Sequence, residues 1–271
     1  MNLKEKWEFI VIILIIILAV LCIIKDNKKE TVIKETNKFE EYSFYKDKNL
    51  IRYQDYQNKT NLNDKTTILH VNIGLDQEFY TNTTPAPNKN NNYVLVNKFN
   101  YLESNYIPNN LVKTNEYSKN NLYLNKEAYE AFKNMARDAS INNLNLRIIS
   151  AYRSYEYQES LYNKYLQNDI QKNVDTYSAR KGHSEHQTGL AVDLDNEKSL
   201  YTDFEKTNEF NWLKDNCYKY GFILRYPKDK EHITGYMYEP WHYRYIGIKE
   251  STYIHNNNLT YEEYYYEFID A

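Results

Sequence analysis

The stretch Ser184-Glu185-His186-Gln187-Thr188-Gly189-Leu190-Ala191-Val192-Asp193-Leu194 decides how this chain is read. Taken as a strand from Gly189 to Leu194, it turns Leu190, Val192 and Leu194 toward a core, because strand side chains alternate between faces. Gly189, Ala191 and Asp193 then share the other face, which is stripped of bulk except for one carboxylate. Such a face leaves room for an ion or a substrate backbone beside Asp193. His186 precedes the strand and can fold over onto the same face. Each residue alone also has a plainer reading, Asp193 as a surface carboxylate ending a strand and His186 as a turn histidine.

Two other segments carry complementary groups. Glu239-Pro240-Trp241-His242-Tyr243-Arg244-Tyr245 places a Glu three residues before a His, with Pro fixing the backbone and Trp packing between them. His186, Asp193 and His242 make a three-ligand set that leaves a fourth zinc position for water, the catalytic arrangement. Glu239 would sit outside that set, able to take the proton from the water. By itself, a Trp-flanked His reads as structural. Ser150-Ala151-Tyr152-Arg153-Ser154 puts an Arg at a strand end, with Gln158 one turn into the next helix. A guanidinium there can clamp a carboxylate in two-point fashion, although alone Arg153 reads as a solvated surface residue.

The surrounding pattern predicts the scaffold. Ala128, Phe132, Met135, Ala136 and Ala139 fall on one face of a helix over 125–141, with Asn125 as N-cap. Leu144, Leu146 and Ile148 alternate as in a strand. A second helix runs from about Ser154 through Leu161, Tyr162 and Tyr165. A third carries Phe210, Leu213, Cys217 and Tyr220 and stops at Gly221, which makes Cys217 a core residue. Thr260 and Glu263 have capping-box spacing for a final short helix. Helices and short strands interleave without βαβ regularity, so the class is α+β.

Toward the N-terminus, Phe9–Ile24 (FIVIILIIILAVLCII) is uncharged and lacks Pro and Gly, and with Trp7 at its edge the run just reaches the length needed to span a bilayer as a tilted helix. Residues 1–25 are therefore expected to be one membrane anchor, although its flanking charges leave the orientation open. Residues 26–65 are polar and mixed in charge and predict a stalk, followed by a folded domain over 66–271. Within that domain's start, Thr67 to Tyr93 is ambiguous: ILHVNIGL is compatible with a strand, and TTPAPNKNNN reads as a loop. The formal net charge is −3, so the basic footprint of a nucleic-acid binder is absent. Two cysteines, Cys22 and Cys217, exclude a disulfide framework and a thiolate zinc cluster and leave the six histidines as ligands or bases.

SAYRSYEYQ, SEHQTGLAVDL and EPWHYRY, in this order and spacing, closely resemble the zinc D-alanyl-D-alanine carboxypeptidases of the VanY type. The wider group includes L,D-carboxypeptidases and D-Ala-D-Ala dipeptidases of bacterial walls. The resemblance covers roughly residues 94–265, including LVNKFNYLESNYIPNNL and the NNLTYEEY ending. It implies a single zinc peptidase domain of Hedgehog/D-Ala-D-Ala-peptidase-like fold, a small antiparallel sheet flanked by helices. By the resemblance, one Zn2+ is held by His186, Asp193 and His242, and Glu239 is the catalytic base. Arg153 and Gln158 meet the peptide's terminal carboxylate and backbone, Ser184 hydrogen-bonds substrate, and Arg244 gives structural support. The implied activity is removal of the C-terminal D-alanine from peptidoglycan stem peptides. The alternatives are an L,D-carboxypeptidase acting on tetrapeptide stems, or a non-catalytic wall-binding module. Wall peptides lie outside the cytoplasmic membrane, so the expected place is the cell membrane, single-pass, with the catalytic domain on the extracellular side.

Overall fold

Strand alternation around Asp193 generates the sheet that carries the site. In chain order, β1 (Thr84–Pro85) and β2 (Asn100–Tyr101) form a short parallel ladder, and β3 (Leu111–Lys113) pairs antiparallel with β4 (Tyr123–Asn125). The strands β5 (Arg147–Ser150), β6 (Ala191–Asp195), β7 (Phe222–Leu224) and β8 (His242–Tyr245) form an antiparallel sheet in the order β5-β6-β8-β7. Around them lie α1 (Leu50–Thr60), α2 (Asp64–Ile73), α3 (Lys126–Ile141), α4 (Tyr155–Leu166), α5 (Gln171–Tyr177), α6 (Asn208–Asn216), the single turn α7 (Glu231–Thr234), α8 (Ile248–Asn257) and α9 (Tyr261–Phe268). This is the α+β class read from the sequence, small sheets flanked by helices.

The computed structural model describes residues 16–20, 37–119 and 121–270. Lys38–Glu41 forms a short 3-10 turn, and the chain from Tyr42 onward is a separate compact unit. Among the described residues no helix is long and apolar enough to cross a membrane. The anchor expected over 9–24 lies outside the described residues except for 16–20, which are helical.

Several local readings match. The Asn125 side chain caps α3, whose face of Ala128, Phe132, Met135, Ala136 and Ala139 is buried against the sheet residues Ile148, Val192 and Leu194 in one core. Ser154 caps α4, and Gly221 ends the segment carrying Cys217 in the left-handed conformation. Cys217 is buried, and burial pushes its thiol up to about 12, so it packs as a core residue. The Thr260–Glu263 capping box opens α9.

Three expectations need correction. Gly189 is not in the strand: it sits at φ 67° and ends the 3-10 turn Glu185–Thr188, and pairing begins at Ala191. An added Cβ at Gly189 would come within 2.7 Å of a Leu111 methyl, so both conformation and space require glycine. The expected stalk over 26–65 belongs to the compact unit from Tyr42 onward, and its helix α1 exposes most of its surface and buries only Tyr53. Polar ties hold it: Tyr53 donates to Asn72 at 2.7 Å, and Arg52 makes two hydrogen bonds to Asp76 at 2.7 and 2.6 Å. An apolar stripe was never needed, which is why none shows. Finally, ILHVNIGL lies in helix α2 and its C-cap, not a strand. Asn63 caps it by accepting from Thr66 N–H, and Gly74 ends it at φ 104°. The helix is buried nearly all round, so its apolar run carries no helical period.

Candidate metal centre

Register places three polar groups in a row across the sheet. Ser150 on β5 is opposite Asp193 on β6, which is opposite His242 on β8. The ladder between β5 and β6 shifts between Ile148 and Ser150, an irregularity of the kind that re-aims side chains next to functional sites. His186 joins them from the 3-10 turn that Gly189 ends. Its Nδ1–H donates to the Ala151 carbonyl at 2.6 Å, which leaves the Nε2 lone pair facing Asp193 Oδ2 at 3.3 Å. The His242 ring stands edge-on to His186 at 4.9 Å between centroids, and its Nδ1 lies 3.0 Å from Asp193 Oδ1. One ligand atom from each of His186, Asp193 and His242 falls within a 4.8 Å cluster, and all three residues are buried. Two imidazole nitrogens and a carboxylate oxygen are borderline-soft donors in the number that a catalytic zinc takes from protein. The donor set therefore fits the metal.

Burial and charge set the protonation of these groups. Burial pushes His186 down to about 4, with Arg153 adding to the effect, so its imidazole is neutral at neutral pH. Burial acts the same way on His242, but Asp193 and Glu185 outweigh it and raise His242 to about 9. Burial opposes ionisation of Asp193, yet His186 and Arg153 hold it well below the usual carboxylate range. Glu239, 7% exposed, has Oε2 3.8 Å from His242 Nδ1. Burial, reinforced by the nearby Asp193 charge, raises its carboxyl to about 7 against the pull of His242. A carboxyl poised near neutrality suits proton transfer in both directions.

The residues expected to meet substrate are placed differently from one another. Arg153 reaches the centre: its Nη2 donates to Asp193 Oδ2 at 2.6 Å, and its Nε and Nη2 donate to Ser150 Oγ at 3.0 and 2.8 Å. Its side chain keeps 20% exposure. Gln158 is buried, with Nε2 donating to the Ala179 carbonyl at 2.8 Å, while its Oε1 has no hydrogen-bond partner. Ser184 is buried at the start of the 3-10 turn, and its hydroxyl makes no capping bond.

Behind the centre is a buried ionic network that sequence reasoning did not assemble. Glu185 Oε1 accepts from Arg225 Nε at 2.8 Å and from Arg244 Nη1 at 3.0 Å. Arg225 also donates through Nη1 and Nη2 to both oxygens of Glu262, at 2.9 and 2.6 Å. Arg244 further binds the Asn92 and Val94 carbonyls at 2.9 and 2.8 Å, the structural support expected of it. Burial opposes the charge on Glu185, but the two guanidiniums hold its carboxyl far below the usual range. Arg225 and Glu262 are 37 residues apart and no local spacing signals their pairing. The one sequence hint was Glu185 itself, a charged residue beside a ligand in a segment otherwise built for burial.

The chain is similar to known proteins over about two thirds of its length. The VanY model, D-alanyl-D-alanine carboxypeptidase, matches residues 121–248. A bifunctional D-Ala-D-Ala dipeptidase and D-Ala-D-Ala carboxypeptidase of Enterococcus gallinarum, VanXYC, is 33% identical over 180 residues, 65% of this chain and 94% of that protein. Among solved structures, the LdcB LD-carboxypeptidase superposes with TM-score 0.64 at 38% identity, over 69% of this chain and 91% of that one. The vancomycin-resistance D,D-pentapeptidase VanY, solved with Zn(II), gives 0.55 at 30% identity, over 64% of this chain and 98% of that one.

Proposed function

This chain belongs to the VanY D-alanyl-D-alanine carboxypeptidase family, and from that premise we propose that it is a zinc carboxypeptidase removing the C-terminal D-alanine of peptidoglycan stem peptides. The observation that carries the reading is the buried His186–Asp193–His242 cluster with Glu239 at its edge and Arg153 reaching the same carboxylate. Zinc in such a site would polarise a carbonyl and bring the pKa of a bound water down to about 7. His186 and His242 would hold it through Nε2 and Nδ1, the nitrogens that face Asp193.

The chain's own groups divide the remaining work. Glu239, with a carboxyl near neutrality, takes the proton from the attacking water and returns it to the departing D-alanine amine. Arg153 recognises the free terminal carboxylate, which confines the enzyme to the last residue of a peptide. Gln158 and Ser184, both buried, are assigned to the substrate backbone on the family resemblance of their motifs. Burial of the ligands excludes bulk water and strengthens each of these interactions.

The D,D activity, on pentapeptide stems, follows the name of the matching family model and of the Enterococcus gallinarum relative. The L,D activity, on tetrapeptide stems, has its own support in the likeness to the LdcB LD-carboxypeptidase. Mass analysis after incubating purified zinc-loaded protein with pentapeptide and tetrapeptide muropeptides separates the two. Loss of one alanine from the pentapeptide alone is the expected result, and loss from the tetrapeptide assigns the L,D activity instead. Neither product, with zinc bound, would refute the carboxypeptidase reading. The apolar run over 9–24 supports placing the protein in the cytoplasmic membrane, and a wall-peptide substrate would put this domain outside. Protease added to intact cells should then remove the domain, and its complete protection would reverse the topology.

A further inference from the structure

The two histidines of the centre are oriented from behind by different means. His186 has its rear nitrogen fixed by a backbone carbonyl. The rear nitrogen of His242, Nε2, has no hydrogen-bond partner although it is buried, and neither has Glu185 Oε2. These two atoms face each other at 3.6 Å. A buried polar atom left without a partner is costly, so each is explained by the other. Glu185 is itself rigidly set: Arg225 and Arg244 both bind Oε1, which leaves Oε2 aimed at the ring, and Tyr226 packs against the same ring at 4.9 Å.

We propose that Glu185 is a positioning residue for the metal, selecting the His242 tautomer with the proton on Nε2 and the lone pair on Nδ1. The inference rests on the reading of His186, Asp193 and His242 as metal ligands. A carboxylate accepts a proton-bearing nitrogen and repels a lone pair, so Glu185 disfavours the tautomer whose Nδ1–H would point at the metal. Carboxylates behind ligating imidazoles raise ligand basicity and fix ring orientation in this way. The two arginines neutralise the buried charge, and Glu262 balances Arg225. Neither Arg225, Arg244 nor Glu262 is needed as a ligand.

The substitution Glu185→Gln tests the idea because the amide keeps the shape while it can turn its NH2 toward His242 Nε2 and favour the wrong tautomer. Zinc affinity, measured by competition with a chromophoric chelator, should fall about 10- to 100-fold. Glu262→Gln removes the other carboxylate of the network without facing His242, and should leave zinc affinity within about twofold, a margin small against the range expected for Glu185. An equal loss in both variants, or no loss in a folded Glu185→Gln protein, would overturn the proposal. Should Glu185→Gln fail to fold, nitrogen-15 NMR of the wild-type full chain loaded with cadmium-113 decides. The proton is expected on His242 Nε2 and the metal coupling on Nδ1, and the reverse pattern would overturn it. Failure of metal to bind wild-type protein at all would instead remove the underlying reading of the centre.

Discussion

Glu239 and His242 are neighbours that burial treats oppositely in net effect. Glu239 is raised to about 7 because burial, reinforced by the Asp193 charge, outweighs the pull of His242, whereas Asp193 and Glu185 outweigh desolvation at His242 and raise it to about 9. The first consequence concerns turnover. Glu239→Ala should lower kcat by about 10²- to 10⁴-fold, the usual contribution of a general base, while the protein still binds one zinc. Stoichiometry by atomic emission checks the second half, and loss of the metal would make Glu239 a ligand. The second consequence concerns metal uptake. Below pH 9 the metal-free protein holds a proton on His242 that zinc must displace, while His186, at about 4, is already neutral. Between pH 6 and 8 zinc affinity should therefore rise by up to about tenfold per pH unit, with about one proton released from His242. Calorimetry in buffers of different ionisation heat reads that proton directly, and a pH-independent affinity would contradict the account.

At the scale of elements, what could be read was what local physics decides. Asn125 and the apolar face of α3 were legible because a cap and a 3.6-residue period are both written in neighbouring residues. Phe132 sits fully buried in that face, so Phe132→Ala should destabilise the protein by about 3–5 kcal/mol, seen as a lower urea midpoint. The α2 segment went the other way. Its apolar residues are buried on nearly all sides, so periodicity was silent, and only the caps Asn63 and Gly74 marked a helix. Asn63→Ala should cost about 1 kcal/mol if that cap acts as the structure shows, and no change in the denaturation midpoint would argue against it. The α1 helix had no legible signal, since Tyr53 and Arg52 hold it through Asn72 and Asp76, partners some twenty residues away. The same holds at the centre. His186, Asp193, His242 and Glu239 lie in short motifs, and β6–β8 register sets Asp193 opposite His242. The pairing of Glu185, Arg225 and Glu262 was not legible, because a buried ionic network is a fact of tertiary packing.

At the scale of the whole molecule, the four-stranded sheet carries a buried ligand cluster with a carboxyl near neutrality at its edge. The chain's family sets the chemistry. The most direct test of the central claim is D-alanine release from a stem pentapeptide by the purified full chain, followed before and after metal removal. Activity should disappear with a chelator and return when one equivalent of zinc is restored, with D-alanine and the shortened peptide in equal amounts. D-alanine release that survives complete removal of the metal, or none from fully zinc-loaded protein, would contradict it.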